Sequence, residues 1–562
     1  MFVNKSAITK LQAAIIAIII IIALAVGIYF ALRPAPTPGP GPTPTPEKRA
    51  IRVGFSWPNK IDPAIGNDEL STTSLCNLYD PLLWPKTVGE GGGVKAHVAE
   101  SWTVSSDGLV YTFKIRQGIK FHSGRNLTAE DVKFSLDRLL TIGQGFAYLF
   151  SPYVDKTEVV DTYTVKITLK KPFGPFLSAC IRLYILDKAE VMAHIKKPGP
   201  YGDYGDYATE WLRTHDAGSG AYKVVDCRAE EWYRYELFTD YWGYVDPQAP
   251  TEVTVMWTAT GSPSTELAMM VNGELEVTDA WLPEETLDAL DKIEGIKRVA
   301  WPEMSEYYIY MNTKKPPLDD IWVRKAIAYI CPYDKMMEQI YSRYTKATSC
   351  VPAGTPGYVN CQIYYYNKTL AEECLKKSKY YPDIIQNPDK YVIEFHWIAD
   401  VPERELDALL LAEAAAEIGL KIQPVKTFWS KVVEEMGSLE TCAHMYDILV
   451  AAHYPEAGSL LESRYHSKSC GTWEQGEWLQ NETIDHMIED ALATIDTQQR
   501  YQKYAQIQRE IMNLCPSLFI YDYKTTLAQW EFVVIPAAEN PANATMIMGY
   551  ERTFRFWKVL PH

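Results

Sequence analysis

The sequence predicts a large α/β body held outside the cell by one N-terminal membrane-spanning helix. Three observations lead there. A charge-free, almost wholly apolar run extends from Leu11 to Leu32, matching the ~20 residues that a helix needs to cross a bilayer core. Proline then takes every second position from Pro34 to Pro46; a helix cannot continue through it, and it favours an extended, semi-rigid spacer. Beyond the spacer, strand-like alternation and helix-like spacing succeed one another in a chain polar enough to be soluble.

The first elements follow in order. Residues 1–10 are a short head with Lys5 and Lys10, residues 11–32 the helix, and residues 33–50 the linker. Only Arg33 follows the helix directly, so the charge bias places the head in the cytoplasm and the body outside. A cleaved secretory signal has a shorter core, ~7–15 residues, and a small-residue cleavage site. No A-x-A pattern directly precedes the prolines, and no cysteine for lipid attachment precedes Cys76. The expectation is therefore a retained helix and a single-pass cell-membrane protein.

Within the body, Ile51-Arg-Val-Gly-Phe55 reads as a first strand. Trp102-Thr-Val104 leads to an Asp107-Gly108 turn, after which Leu109, Tyr111, Phe113 and Ile115 alternate with polar residues, a hairpin pattern. Thr128-x-x-Asp131 is a capping box, with Val132, Leu136 and Leu139 following at helical spacing. A chain of 562 residues suggests two to four domains, because single cores stop growing near ~250–300 residues. A net charge of −16 argues against nucleic acid or an anionic membrane surface as partner. Tyrosine and tryptophan are abundant, at 37 and 16, enough to fill cores and leave a minority to line a site.

All ten cysteines lie in the body, and outside the cell they would tend to pair. Cys350 and Cys361 bracket a Pro/Gly-rich loop and are the best local disulfide candidates; Cys442 and Cys470 flank another loop. No pair has C-x-x-C spacing, so zinc and redox sites are not indicated. Asn126, Asn367, Asn481 and Asn543 stand in N-x-S/T sequons.

The segment from Ala99 to Arg138, Ala-Glu-Ser-Trp-Thr-Val-Ser-Ser-Asp-Gly through Leu-Thr-Ala-Glu-Asp-Val-Lys-Phe-Ser-Leu-Asp-Arg, resembles the signature of family five extracytoplasmic solute-binding proteins. These are the oligopeptide, dipeptide, nickel and oligosaccharide receptors of ABC importers. Further blocks match in order: Gly218-Ser-Gly-Ala-Tyr222 with Asp240-Tyr-Trp-Gly243, then Tyr307 to Thr313 with Pro317 to Ala326, then Asp496, Arg500, Tyr504, Gln508 and Pro516. The resemblance spans nearly all of residues 51–562. It implies a two-lobed, type II periplasmic-binding-protein-like fold whose lobes close around a ligand. Residues 51–84, 207–303 and 529–562 would form lobe I, residues 85–206 a subdomain inserted in it, and residues 304–528 lobe II. The chain would cross between lobes near Trp301–Tyr310 and Tyr523–Val534. The partners implied are the permease subunits of an importer. Near Lys5-Ser6-Ala7-Ile8 the head resembles the pilin-type signals of some archaeal binding proteins. On that reading the head is trimmed, and a homo-oligomer could assemble through the N-terminal helix into a surface structure.

No Gly-rich phosphate loop with lysine, no H-E-x-x-H and no G-x-S-x-G elbow is present, so the expectation is a receptor, not an enzyme, with no cofactor and no metal site. In peptide-binding relatives a segment Y-[DQ]-x…G-W-x-x-D supplies an aspartate for the peptide's α-ammonium group. Tyr446 to Glu456 aligns with it without gaps, placing Glu456 at the aspartate and His453 at the tryptophan, with Tyr454 between. The dipeptide receptors also use an arginine before the long helix. Here Phe395 to Pro402 contains none, and Arg404 is the first. Trp397 and Asp400, with Trp429 and His453, offer aromatic and hydrogen-bonding surface instead. The resulting expectation is a peptide held mainly by its backbone, or an oligosaccharide stacked and hydrogen-bonded.

Overall fold

The computed structural model describes residues 49–561 except 56–59, 229–230, 258–261 and 402. The apolar run and the proline spacer lie outside the described residues. Among the described residues no helix is long and apolar enough to cross a membrane. Arg49–His562 forms one compact unit, distinct from Met1–Lys48.

The expected first strand forms as Ala50–Phe55 and pairs in parallel with Glu252–Trp257. Trp232–Leu237 and Tyr222–Arg228 extend this sheet to four strands by antiparallel pairing. A second four-stranded sheet, wholly antiparallel, comes from the intervening chain: Ala99–Val104, Val110–Ile115, Thr164–Leu169 and Val154–Asp161, in that spatial order. Its first two strands are the expected hairpin. Asp107 Oδ1 accepts the Leu109 N–H at 3.0 Å across the turn, and Gly108 takes the left-handed conformation, φ +68°. Tyr111, Phe113 and Ile115 face the core while the residues between them do not. Asp131 caps helix Ala129–Ile142, accepting the Thr128 N–H at 2.9 Å, and Val132, Leu136 and Leu139 are buried. From the same helix the fully buried Arg138 forms a two-pronged pair with Asp62, at 2.7 and 2.6 Å, tying the helix to the loop after the first strand.

The third sheet has six strands: Thr345–Lys346, Ser517–Trp530, Ile296–Met311, Met445–Ala451, Ile393–Ile398 and Ile422–Thr427. Ile296–Met311 and Ser517–Trp530 pair antiparallel along almost their whole lengths, from Ile296 opposite Trp530 to Tyr310 opposite Ser517. Val277 bridges their outer end to the first sheet, touching both Val53 and Gln529. Tyr307 to Met311 is an unbroken buried run, as a strand covered on both faces requires. Much of the tyrosine abundance is spent here. Tyr521 stacks between Tyr344, 4.2 Å away between ring centres, and Tyr307, 4.7 Å away.

One expectation is corrected: all ten cysteines are free thiols. The Cys361 N–H bonds the Thr348 carbonyl at 3.0 Å, which sets its thiol beside Ser349 Oγ at 3.1 Å, while Cys350 is buried. Cys442 and Cys470 also turn to separate oxygens, Gly476 O at 3.6 Å and Gln475 Oε1 at 3.4 Å. Two of the sequon asparagines cap helices: Asn367 accepts the Leu370 N–H and Asn481 the Thr483 N–H, each at 3.0 Å.

Burial pushes several carboxyls above their usual range: Asp407, Glu477, Asp522 and Glu551 to about 7, Asp447 to about 6, Glu303 to about 8. Their folded values exceed the unfolded ones, so the folded chain keeps protons that the unfolded chain has lost. The associated stability is complete below the unfolded pKa, near ~4, and falls as pH rises through the folded values. His122, also raised, acts in the same direction, whereas His97, lowered by burial, is neutral in both states above pH ~7. Each proton held only by the folded chain changes stability by about 1.4 kcal/mol per pH unit. Denaturant unfolding should therefore give a lower stability at pH 8 than at pH 6.5; equal or rising stability would contradict these assignments.

Candidate functional site

The six residues singled out in the sequence separate into two groups. His453, Trp429 and Asp400 join one band. Asp400 accepts the backbone N–H of Trp429 at 2.7 Å, satisfying a free donor at the start of helix Trp429–Met436. The Trp429 ring meets the edge of Trp473 at 5.3 Å. The next residue, Glu474, brings Oε1 to 3.9 Å from His453 Nε2. His453 in turn lies edge-on to Tyr148, 5.3 Å between ring centres. Tyr148 comes from the segment that carries the antiparallel four-stranded sheet and is 43% exposed, so the band ends open to solvent.

Backbone hydrogen bonds hold the band in place. Tyr310, at the end of the long strand, donates its hydroxyl to the Glu474 carbonyl at 2.8 Å. Arg182 Nε donates to the His453 carbonyl at 2.8 Å, and Ser459 Oγ accepts the His453 N–H at 2.7 Å. Burial holds the His453 imidazole below its usual range, against the upward pull of Glu474; Arg182 adds to the lowering. The histidine is therefore a neutral hydrogen-bonding ring at pH 7. Glu474 Oε2 is buried and has no hydrogen-bond partner among the described residues. A buried, bare carboxylate oxygen is costly unless a donor reaches it.

The other three residues make separate contacts. Glu456 is completely buried. Arg500 donates to both its oxygens, Nε to Oε2 at 2.8 Å and Nη2 to Oε1 at 3.4 Å. Ser178 Oγ adds a bond at 2.9 Å and the Tyr504 hydroxyl one at 3.3 Å. Its charge is thus matched from within the protein. Tyr454 is buried edge-on against Phe173 at 6.2 Å. Trp397 is buried in strand Ile393–Ile398, with Lys426 Nζ 5.7 Å from its ring. Arg404 opens helix Arg404–Ala416, buried against Tyr307 and 3.9 Å from Asp447.

Sequence reasoning did not single out Trp473, Glu474 or Tyr148. The readable signal was the run Gly471-Thr-Trp-Glu-Gln-Gly-Glu-Trp478, in which two Trp/Glu pairs lie on either side of Gly476. Among the described residues no group of His, Cys, Asp and Glu is arranged to hold a metal ion.

Residues 93–474 match the family described as bacterial extracellular solute-binding proteins, family 5 Middle. A probable D,D-dipeptide-binding periplasmic protein of Escherichia coli strain K12 is 27% identical over 498 residues, 86% of this chain and 91% of that protein. The periplasmic binding protein DppA of Helicobacter pylori, solved in complex with the peptide STSA, aligns with a TM-score of 0.74 at 21% identity, covering 91% of this chain and 98% of its own. The oligopeptide-binding protein AppA of Bacillus subtilis, solved with a nonapeptide, gives 0.70 at 21% identity, covering 92% and 100%. The two structures share with this chain a mixed α/β, periplasmic-binding-protein-like fold.

Removing the Glu456 carboxylate leaves Arg500 buried and uncompensated. Glu456→Ala should cost roughly 3–5 kcal/mol in unfolding free energy, measured by denaturant titration. A loss below about 1 kcal/mol would show that the pair is not buried as described.

Proposed function

The chain belongs to the family 5 bacterial extracellular solute-binding proteins, and from that membership we propose a receptor that captures peptides and passes them to the permease of an ABC importer. The ligand lies between two lobes, residues 51–84, 207–303 and 529–562 with the inserted 85–206 on one side and residues 304–528 on the other. The apolar run Leu11–Leu32 keeps the body at the outer face of the cell membrane. The receptor binds and releases, with no covalent step.

Glu474 carries the peptide reading. Its bare, buried oxygen calls for a cationic donor, and a peptide's α-ammonium group supplies one with charge-assisted hydrogen bonds. His453, neutral beside it, offers a further hydrogen bond, and Trp429 with Trp473 gives apolar surface for the ligand's flank. The names and ligands of the relatives point the same way: a D,D-dipeptide, the peptide STSA and a nonapeptide. A second reading, an oligosaccharide, is favoured by the same tryptophan pair, since sugar faces stack on such rings.

Mass spectrometry of small molecules released from the natively purified protein should find peptides; sugars would transfer the assignment to the second reading. Glu474→Gln separates the two on the identified ligand. The loss in calorimetry should be about 2–5 kcal/mol if an ammonium group is left unpaired, and nearer ~1 kcal/mol for a sugar hydroxyl. Small-angle scattering of the body released at Lys48 should show a smaller radius with ligand bound. An unchanged radius with ligand demonstrably bound would remove the closure of the lobes from this reading.

A further inference from the structure

A second set of polar side chains gathers where the first sheet meets the two long strands. Glu303, on strand Ile296–Met311, accepts the Thr525 hydroxyl and, at 3.3 Å, that of Ser305. Glu69, the first residue of helix Glu69–Leu78, accepts Trp281 Nε1 at 3.2 Å and lies 3.2 Å from Arg552. Glu551 takes three donors on Oε1, from Thr545 and Met546 at 2.7 Å, and its Oε2 has no hydrogen-bond partner among the described residues. Asp279 is buried beside Glu266, which accepts its N–H at 3.2 Å.

Among the described residues, acidic groups of this set outnumber basic ones: Arg552 pairs with Glu69, follows Glu551 in the chain and acts on both Asp279 and Glu303. Arg343, 4.8 Å from the centre of the Tyr344 ring, is held by Glu284 at 2.6 Å and Glu403 at 3.1 Å. Burial first, then the charges of Glu69 and Glu551, push the Glu303 carboxyl up to about 8, and burial, then Glu266, holds Asp279 well above the usual carboxylate range. Excess buried negative charge of this kind is relieved by a proton or by a cation.

An independent feature indicates a ligand. Tyr523, on strand Ser517–Trp530, is 4% exposed, and its hydroxyl has no hydrogen-bond partner among the described residues. That hydroxyl lies within the electrostatic field of Tyr344, Glu69 and Glu303, with Arg343 acting in the opposite sense. Its ring stacks on Trp281 at 5.7 Å. Glu69 and Trp281 are only half-buried, so the set is reachable from solvent. It also adjoins the His453 band: Ala452 donates to the Met304 carbonyl at 2.7 Å, and His453 and Glu303 are the immediate chain neighbours of that bond's two ends.

We propose that Glu69, Glu303 and the Tyr523 hydroxyl form a subsite for a cationic side chain of the bound peptide, a lysine ammonium or an arginine guanidinium. The subsite rests on the peptide-receptor reading and adds a preference for basic peptides to it. The two carboxylates and the phenol oxygen are acceptors, and both cations carry only donors. The aromatic faces of Trp281 and Tyr523 add a cation–π surface for the same charge.

The test is selection from an equimolar tetrapeptide library by the full chain in detergent, with mass spectrometry of what is retained. Lysine and arginine together should be enriched at least fivefold over the input at one peptide position. Glu69→Gln and Glu303→Gln should each reduce that enrichment while peptides are still retained. Tyr523→Phe removes an oxygen with no hydrogen-bond partner among the described residues, so its unfolding midpoint should match the wild type while basic enrichment falls at least threefold. This variant keeps the test valid if a glutamine variant fails to fold. Retained peptides with basic residues at input frequency would overturn the subsite and leave the peptide receptor standing. Retention of no tetrapeptide would overturn both. Undiminished enrichment in Tyr523→Phe and in whichever glutamine variants fold would assign the preference to other residues and overturn the subsite.

Discussion

The antiparallel ladder between Ile296–Met311 and Ser517–Trp530 is the constraint on which the rest of the structure depends. One end is bridged through Val277 to the first sheet, and the other end forms the centre of the six-stranded sheet. The ladder loses register between Pro302 and Glu306. Proline has no N–H to give to a ladder, and an irregularity there turns the backbone groups elsewhere. Met304 accordingly donates to the Met546 carbonyl and accepts from Ala452, both at 2.7 Å. That one irregularity brings Glu303, His453 and the C-terminal segment together.

Around this junction, the pairing of buried charge decides which groups remain free to meet a ligand. Glu456 and Arg500 neutralise each other and share Ser178 and Tyr504, so the pair acts as a strut between the segment carrying Ser178 and helix Thr497–Leu514. Glu474 is a carboxylate of the same kind, but it faces a neutral imidazole at 3.9 Å and keeps one oxygen bare. Whether a buried carboxylate is matched or keeps a bare oxygen is set by its neighbour, not by the residue type.

The aromatic residues divide in the same way. Tyr307 and Tyr344 stack on Tyr521 in the core, Tyr341 meets it at a tilt, and Asp407 accepts the Tyr307 hydroxyl at 2.6 Å and that of Tyr341. Trp429 and Trp473 are half-buried and meet at the band. Composition reveals only that both uses have to be filled; it does not say which ring serves which.

Local chemistry was legible in the chain itself. Period-two alternation marked the strand of Tyr111, Phe113 and Ile115, the Thr128–Asp131 box marked the start of its helix, and the Asp107-Gly108 turn joined the hairpin. Each rests on residues within a few positions of one another, where backbone sterics and side-chain-to-backbone bonds suffice. Half of the band was legible as well, in His453, Trp429 and Asp400. The remainder depends on partners far away in sequence. Arg500 stands 44 positions from Glu456, and Tyr148 lies several hundred residues before His453. The spacing Cys350–Cys361 suggested a bridge, but the Cys361 N–H bonds the Thr348 carbonyl, its thiol lies beside Ser349, and both thiols are free. The sequence by itself determined the elements and the family, because those are set by local pattern. Only the tertiary structure decided which carboxylates are matched and which keep a bare oxygen, because charge pairing is fixed by distances that the folded chain alone defines.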